Sequence, residues 1–493
     1  MNSVMLKKTV GLLIRAVLLL SGLSVTIFIT VILAGAVAAN KRAALSPWHT
    51  VVLESEFTAE DSNVTQSLDD YLRQEREVFE EMHLKVISRI QPEDQLSLNR
   101  YVIGSRSNPE RNGRNWNRSY ERVPDEIRGG ALLLHGMTDS PYSLRHFAES
   151  LHEQGIYVLN LRLPAHGTVP AALAQVDWQD WYAAVKLGAR HVRSRIKDQQ
   201  PFYILGYSNG AGLAVMFALD AITQDELPRP DQLFLISPML AVSGLARLSK
   251  YYFWIGKLGW FEKSLWLDIY PEYDPHKYNS FPMNAPRQSW AFTETLNARL
   301  AGAVKSGVIN QMPPITAFQS LVDATVIARA TVDRLYRHLP ENGSELVLFD
   351  INRIAVVEPY IRPEHNAFRV DFINPQATGY TRTLITNASD NTTEIVEMRR
   401  VSGELKFTST PLDTHWPKDF ISLSHVALPF PLDDEIYGRI PAAADNGFPH
   451  IGLVQVVGEG GTLVLPPSLQ TRARSNPFYD YIEQRINAVV TAQ

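Results

Sequence analysis

Residues 204–216 read ILGYSNGAGLAVM: an apolar run, a serine between two glycines, and a second apolar run. A tight turn from a strand into a helix forces its central residue into a strained backbone conformation, and it leaves no room for side chains two positions before and after. Gly206 and Gly210 meet that steric demand, and the turn holds the hydroxyl of Ser208 in the open. The stretch therefore predicts a strand, a turn and a helix, with Ser208 as the candidate nucleophile.

Short apolar runs alternate with longer amphipathic runs on both sides of this stretch. The pattern predicts strands at 131–136, 157–163, 202–207 and 232–238, and helices at 143–155, 177–196 and 210–222. Strands separated by helices need crossover connections, so we expect an α/β fold whose sheet is mostly parallel with helices on both faces. Ligands of such sheets bind beyond the carboxyl ends of the strands, where GYSNG (206–210) and HGMTDSP (135–141) both lie.

The composition is that of an ordinary globular protein. The chain has 493 residues, of which 45% are hydrophobic and 20% charged, and its formal net charge is −5. Because no basic tract is interleaved with aromatic residues, we expect no nucleic-acid partner. The chain has no cysteine, which excludes disulfides, thiolate metal sites and lipid attachment through cysteine. We expect one catalytic domain with additions, and the oligomeric state stays open.

The amino-terminal region is apolar enough to cross a membrane. Residues 16–40 carry no charge, and about 20 apolar residues suffice for a membrane-spanning helix. AGAVAA (34–39) resembles the cleavage site of a signal peptide, but the apolar segment of a signal peptide is usually only about 7–15 residues long. Three basic residues precede the span and two follow it, which favours a cytoplasmic amino terminus. We expect a single-pass anchor at 16–39 and an extracytoplasmic catalytic domain, periplasmic if the protein is bacterial.

Residues 66–90 place apolar side chains at helical spacing and charged ones, Glu75 among them, toward the other side. This pattern predicts an amphipathic packing helix. The polar stretch 108–130 is expected to be a loop that leads into the core.

Three motifs in chain order resemble the α/β-hydrolase fold. LLLHGMTDSPYSLRHFAESL (132–151), LRLPAHG (161–167) and GYSNG are similar to the branch that holds monoacylglycerol lipases, lysophospholipases and bacterial carboxylesterases. The resemblance covers about residues 130–350 and 416–490. It implies a serine hydrolase that needs no metal and no organic cofactor, with a triad in the chain order serine, carboxylate, histidine.

Asp323 is the expected carboxylate of that triad. In PPITAFQSLVDATV (313–326) a strand-like apolar run ends at Asp323 and a helix-like run begins soon after it. An acid at the end of a strand can point into the shared cleft. The alternative is that Asp323 only caps the following helix.

His425 is the expected histidine. In DFISLSHVALPFP (419–431) it ends an apolar alternating run, as a residue in a loop after a strand would, and its surroundings resemble those of the family's histidine. His338 lies in an amphipathic helix pattern, His365 in a proline-bracketed loop, and His415 beside a tryptophan. The stretch between Asp323 and His425 is unusually long for the family.

The resemblance also implies an oxyanion hole built from two backbone N–H groups. One belongs to Asn209, which follows the nucleophile, and the other to Met137, which follows Gly136 in the HG motif. His425 would take the proton of Ser208, an acyl-enzyme would form, and water would release the acid.

The long stretch before His425 has a structural explanation. After the strand expected at 344–350, the segments FRVDFIN, YTRTLIT, TEIVEMRR and ELKFTST each alternate and are separated by turn-formers, which predicts an inserted β meander at about 352–415. The expected organisation is therefore a tail and anchor (1–42), a membrane-proximal helical region (43–129), a first half of the core (130–240), a cap (241–312) and a second half of the core with the insertion (313–493).

The cap is expected to select the substrate. It is dense in aromatic residues, which suit an apolar acyl or alkyl chain: Tyr251, Tyr252, Phe253, Trp254, Trp260, Phe261, Trp266, Tyr270, Tyr273 and Tyr278. The substrate class would then be an acyl ester such as a lysophospholipid or a monoacylglycerol.

Two alternatives remain. The first is a serine peptidase or amidase of the same fold, which a carboxylate holding a free amino terminus in the cap, such as Glu262 or Asp268, would favour. The second is a catalytically silent member that binds a lipid or a protein. A binding module has no need of Ser208, Asp323 and His425 together.

Overall fold

The computed structural model describes residues 2–64, 67–111, 113–242, 249, 256, 261–323, 325–355, 361–417, 420–440, 447–453 and 473–492. The strands are β1 (Tyr120–Arg122), β2 (Gly129–Leu134), β3 (Ile156–Leu161), β4 (Phe202–Tyr207), β5 (Gln232–Ile236), β6 (Trp266–Asp268), β7 (Phe281–Pro282), β8 (Ile315–Ser320), β9 (Glu345–Phe349), β10 (Thr381–Asn387), β11 (Glu394–Arg400) and β12 (Thr408–His415). The α-helices are Asn2–Ala39, Pro47–Thr50, Leu68–Lys85, Arg145–Glu153, Pro170–Leu173, Trp178–Arg195, Asn209–Thr223, Asn284–Ser306, Ala328–Arg334, Pro363–Ile373 and Tyr479–Thr491.

Ten of these strands form one sheet in the order β1-β3-β2-β4-β5-β8-β9-β10-β11-β12. The run from β3 to β10 is parallel throughout, and β1, β11 and β12 pair antiparallel with their neighbours. The predicted α/β class and its mostly parallel sheet are confirmed.

The sheet is covered on both faces because its strands alternate between two apolar cores. Leu132 and Leu134 of β2 belong to one buried cluster, whereas Ala131 and Leu133 belong to the other. Continuous apolar runs are what a strand buried on both faces requires.

The structure corrects the prediction for the region before His425. FRVDFIN was expected to be a strand, but residues 368–373 lie in the helix Pro363–Ile373. Phe368 and Phe372, four residues apart, are buried together on one side of that helix. The predicted meander forms at β10 to β12, which pair antiparallel in succession, and it extends the main sheet because β10 pairs in parallel with β9.

Two further expectations were wrong. Within the stretch expected to be a loop, 120–122 form the edge strand β1, which pairs with β3. The described residues just before His425 form no strand, and His425 itself begins a short 3₁₀ turn.

The helix Leu68–Lys85 starts where the side chain of Ser67 accepts a hydrogen bond from the Asp70 N–H at 3.2 Å. Glu75 does not face solvent as the sequence pattern indicated. It is buried and pairs with the guanidinium of Arg162, with Oε2 3.2 Å from Nε. Arg162 also binds Glu56 at 2.7 Å, so the LRLPAHG turn is fixed to the region 43–129.

The amino-terminal helix includes a predominantly apolar segment of 27 residues, Leu13–Ala39, long enough to cross a membrane. A helix of this kind fits a membrane anchor or a signal sequence. Its side chains are mostly exposed, but three on one side near its end are buried: Ile32, Ala36 and Ala39.

The end of this helix is tied to the region expected to be the cap. The ammonium group of Lys263 donates to the carbonyl oxygen of Arg42 at 2.8 Å. The guanidinium of Arg42 in turn donates to the carbonyl oxygen of Trp266. The apolar helix therefore ends directly beside β6.

Candidate active site

Ser208 lies in the turn between β4 and the helix Asn209–Thr223, with φ 54° and ψ −111°. This conformation costs an ordinary residue on the order of 1–3 kcal/mol and persists only where the surroundings enforce it. The Ser208 N–H donates to the carbonyl of Ile236 at 2.9 Å, and its own carbonyl accepts from the N–H groups of Gly212 and Met239, both at 3.1 Å. The two central strands and the helix thus hold the serine in place.

The glycines around Ser208 are required by close backbone approach, as the sequence predicted. A Cβ on Gly210 would lie 2.0 Å from the carbonyl oxygen of Leu134, and one on Gly206 would lie 2.5 Å from the Cα of Ala211. On the neighbouring loop, a Cβ on Gly136 would lie 3.2 Å from the Cβ of Ser208.

The structure brings Ser208, His425 and Asp323 together in one hydrogen-bonded series. Ser208 Oγ lies 2.9 Å from His425 Nε2, and His425 Nδ1 lies 2.8 Å from Asp323 Oδ2. Ser208 and His425 are each 6% exposed, so a small opening to solvent remains at the serine.

Asp323 follows β8, at the carboxyl edge of the sheet. Its Oδ1 accepts hydrogen bonds from the N–H groups of Thr325 at 2.9 Å and Val326 at 3.1 Å, which leaves Oδ2 for His425. The cap residue of the following helix is Ile327. Asp323 therefore does not cap that helix, which was the alternative left open by the sequence.

The loop that carries His425 is held by two groups that the sequence analysis did not single out. The hydroxyl of Tyr207 donates to the carbonyl oxygen of His425 at 3.2 Å, and the two rings lie 5.4 Å apart. Asn352 donates its side-chain amide to the carbonyl of Phe420 at 2.9 Å. The only signal for Tyr207 was its place beside the serine in GYSNG.

Met137 and Asn209 lie where the two loops approach the nucleophile. Asn209 is the first residue of its helix, so its N–H belongs to the turn whose donors have no acceptor within the helix. The positive end of the helix dipole adds to the attraction for an anion there. Met137 follows Gly136, whose backbone lies against Ser208.

His135 fixes the HG loop to the LRLPAHG turn. Its Nε2 accepts from the N–H of Leu163 at 3.0 Å, so Nδ1 carries the proton and donates to the carbonyl of Gly136 at 2.9 Å. Burial lowers the pKa of His135 to about 3. The imidazole is therefore neutral at physiological pH and serves as a structural link.

A cavity of about 190 Å³ opens beside the series. Thr138 and Val426, the sequence neighbours of Met137 and His425, both line it. Its wall carries four tyrosines and three charged residues: Tyr270, Tyr273, Tyr278, Tyr437, Asp274, Lys277 and Arg474.

The cavity wall comes largely from residues 270–279, within the region expected to select the substrate. Tyr251, Tyr252, Phe253, Trp254 and Trp260 lie outside the described residues. Glu262 is exposed, and Asp268 accepts from the hydroxyl of Tyr270 at 3.2 Å. Neither of these two carboxylates is among the described residues that line the cavity.

Residues 125–345 match the model of the family described as "Serine aminopeptidase, S33". The thermostable monoacylglycerol lipase of Bacillus sp. (strain H-257) is 34% identical over 89 residues, which are 18% of this chain and 34% of the lipase. The chain thus spans about a third of the length of this curated relative.

Solved structures similar to this chain include two lipases. One is a soluble variant of the monoglyceride lipase of Saccharomyces cerevisiae, in complex with a substrate analogue (16% identity, 47% of this chain and 82% of that one, TM-score 0.36). The other is the monoacylglycerol lipase of Paleococcus ferrophilus (15% identity, 47% and 88%, TM-score 0.36).

Proposed function

We propose, from the α/β-hydrolase fold of its core, that the protein is a membrane-anchored serine hydrolase that cleaves carboxylic esters of lipids. The observation that carries the proposal is the series from Ser208 through His425 to Asp323, with distances of 2.9 and 2.8 Å. In this proposal, 130–240 and 313–493 form the catalytic core, and 241–312 is the cap.

The mechanism follows from the order of the hydrogen bonds. His425 Nε2 takes the proton of Ser208 as the serine oxygen attacks the ester carbonyl, and Asp323 Oδ2 accepts from Nδ1–H and stabilises the imidazolium. The N–H groups of Asn209 and Met137 stabilise the oxyanion of the tetrahedral intermediate.

Collapse of that intermediate breaks the bond to the alcohol, which takes the proton from His425. Water then attacks the acyl group on Ser208, and His425 again acts as the base. The second collapse releases the carboxylic acid and restores the serine.

The place of the amino-terminal helix supports a lipid as the substrate. Tyr270 lines the cavity beside His425 and also a second cavity of about 260 Å³, whose wall includes Ala43 and Ala44 just after the helix. If that helix spans a membrane, the catalytic cavity lies at the membrane surface.

Exposed apolar side chains occur near the same end of the molecule. Leu96 and Leu98 line the second cavity and are 54% and 42% exposed, and Leu267 of β6 is 43% exposed. Apolar groups at this position fit contact with the lipid interface. We place the catalytic domain outside the cytoplasm.

A peptidase is the second candidate, because the same series attacks amides and the matching family is described as a serine aminopeptidase. A free amino terminus would need a carboxylate in the cavity. Asp274 is the one carboxylate among its described lining residues, and its Oδ1 already accepts from three donors. Because these donors already hold Asp274 within the protein, we rank the ester ahead of the peptide.

Full-length protein in detergent, together with its Ser208→Ala and His425→Ala variants, tests the proposal. Each is exposed to a fluorophosphonate probe and then assayed on p-nitrophenyl esters of increasing chain length. We expect labelling and turnover to disappear in both variants and to persist in Ser194→Ala, which changes an exposed serine. Folded wild-type protein that takes up no probe would refute the hydrolase.

A further inference from the structure

We propose that Arg474 binds the phosphate of an anionic lysolipid substrate in the cavity beside His425. The proposal rests on the proposed esterase function and names its substrate class.

Lys277 is ion-paired, and Asp274 is hydrogen-bonded, within the protein. The ammonium group of Lys277 lies 2.9 Å from Asp139 Oδ2, and both side chains are mostly buried. Asp274 Oδ1 accepts from the N–H groups of His276 and Lys277 at 2.9 and 3.0 Å, and from the Tyr437 hydroxyl at 2.6 Å.

Arg474 is not compensated in this way. In the part of the chain that the structure describes, its guanidinium forms no ion pair, and its hydrogen bond is a long one, 3.4 Å to the hydroxyl of Tyr273. Among the described charged residues of the cavity wall, Arg474 is therefore the cation without an ion-pair partner. A planar guanidinium matches the oxygens of a phosphate with two parallel hydrogen bonds.

The side chain of Asn279 adds a second donor. Its Oδ1 accepts from the N–H of Asp274 at 3.0 Å, and its NH₂ group has no hydrogen-bond partner among the described residues. Arginine and amide donors in one cavity are the groups that bind phosphate oxygens.

The cavity adjoins the proposed base. The leaving alcohol takes its proton from His425 Nε2, and Val426, the next residue, lines this cavity. A hydrocarbon chain placed here would remove water from the guanidinium of Arg474 and the side-chain amide of Asn279 without replacing those hydrogen bonds. The head group, rather than the acyl chain, therefore fits this cavity.

Two esters that differ only in the phosphate test the proposal: 1-oleoylglycerol 3-phosphate and 1-oleoylglycerol, in mixed micelles. We expect wild-type kcat/KM to be about 10–100-fold higher for the phosphate ester, since hydrogen bonds to charged groups contribute that order of discrimination. Arg474→Gln should abolish the preference, mainly by raising KM for the phosphate ester.

Arg337→Gln, which changes an exposed arginine 63% accessible in its side chain, is the matched control and should keep the preference. The proposal is wrong if Arg474→Gln lowers both activities in the same ratio, or if the wild type prefers the neutral ester. Activation of 1-oleoylglycerol cleavage by glycerol 3-phosphate would instead assign the site to a free anion.

A binding measurement tests the phosphate site independently of the proposed esterase activity. Calorimetric titration of the Ser208→Ala variant with 1-oleoylglycerol 3-phosphate should show binding that the Ser208→Ala/Arg474→Gln variant loses by about 10-fold or more. Binding without hydrolysis by the wild type would refute the esterase and retain the phosphate site. Equal binding by both variants would refute the site alone.

Discussion

The hydroxyl of Tyr207 donates to the carbonyl oxygen of His425 at 3.2 Å. The residue before the proposed nucleophile thus holds the loop of the proposed base, 217 positions beyond Ser208 in the chain. Without this contact the loop would depend on contacts more distant from the imidazole, such as that of Asn352 with Phe420.

Tyr207→Phe should lower kcat by about 3–10-fold, because a loop freed from one hydrogen bond holds His425 less accurately. The rate of fluorophosphonate labelling should fall in the same ratio, since the probe also needs the base. Tyr203→Phe is the control: its hydroxyl is buried with no partner among the described residues, so its loss should leave kcat unchanged. A Tyr207→Phe enzyme labelled at the wild-type rate would contradict the positioning role.

Gly210→Ala should abolish folding or destabilise it strongly, because the new Cβ would lie 2.0 Å from the carbonyl oxygen of Leu134, which belongs to a buried strand. Gly302→Ala makes the same chemical change in the helix Asn284–Ser306, where nothing lies within 4 Å. It should raise the free energy of unfolding by about 0.5–1 kcal/mol. Denaturant unfolding of both variants measures the two changes in the free energy of unfolding. Equal changes would contradict the prediction.

Glu75→Ala should lower the free energy of unfolding by about 3–5 kcal/mol, because it removes a partner from the buried guanidinium of Arg162. Glu77→Ala, an exposed position on the same helix, should change it by less than about 0.5 kcal/mol. Thermal unfolding of the two variants checks this prediction. Similar melting temperatures would show that Glu56 alone compensates Arg162.

The free energy of unfolding should fall as the pH is lowered from about 7 to 5. Burial lowers the pKa of His49 to about 4 and that of His135 to about 3, and it lowers the pKa values of His166 and His276 well below the ordinary value. Below about pH 6.5 the unfolded chain therefore binds protons at these four residues that the folded chain does not bind.

Carboxyls whose pKa values are raised by burial oppose this trend, and Glu272 opposes it most strongly in this pH range. Burial raises the pKa of Glu272 to about 7, so its contribution to stability grows as the pH falls through that value. The four histidines outweigh these carboxyls, and the melting temperature should decrease between pH 7 and 5. His49→Gln should reduce the slope by about one proton, roughly 1.4 kcal/mol per pH unit. A melting temperature that does not change between pH 7 and 5 would contradict the lowered pKa values of the buried histidines.

The fold class could be predicted from the sequence because its signals are local. Glycines at 206 and 210, the apolar runs before and after them, and the alternation of strands and helices depend on residues close together in the chain. The same local pattern identified Ser208 and, at the end of β8, Asp323.

Short apolar runs did not allow helices and strands to be distinguished from the sequence. Residues 368–373 contain two phenylalanines four apart, a spacing that fits a helix, but within so short a segment the alternation indicated a strand. The run before His425 alternates in the same way, yet no strand forms among its described residues. Period alone cannot distinguish helix from strand over five or six residues.

The sequence by itself determined the α/β architecture and the strained turn at Ser208, since backbone sterics and periodicity act over a few residues. Only the tertiary structure decided that Tyr207 holds the His425 loop, that Glu75 is buried against Arg162, and that Arg474 faces the cavity. The residues that meet in each of these arrangements are tens to hundreds of positions apart in the chain. Their contacts arise from packing of the whole chain rather than from any local pattern.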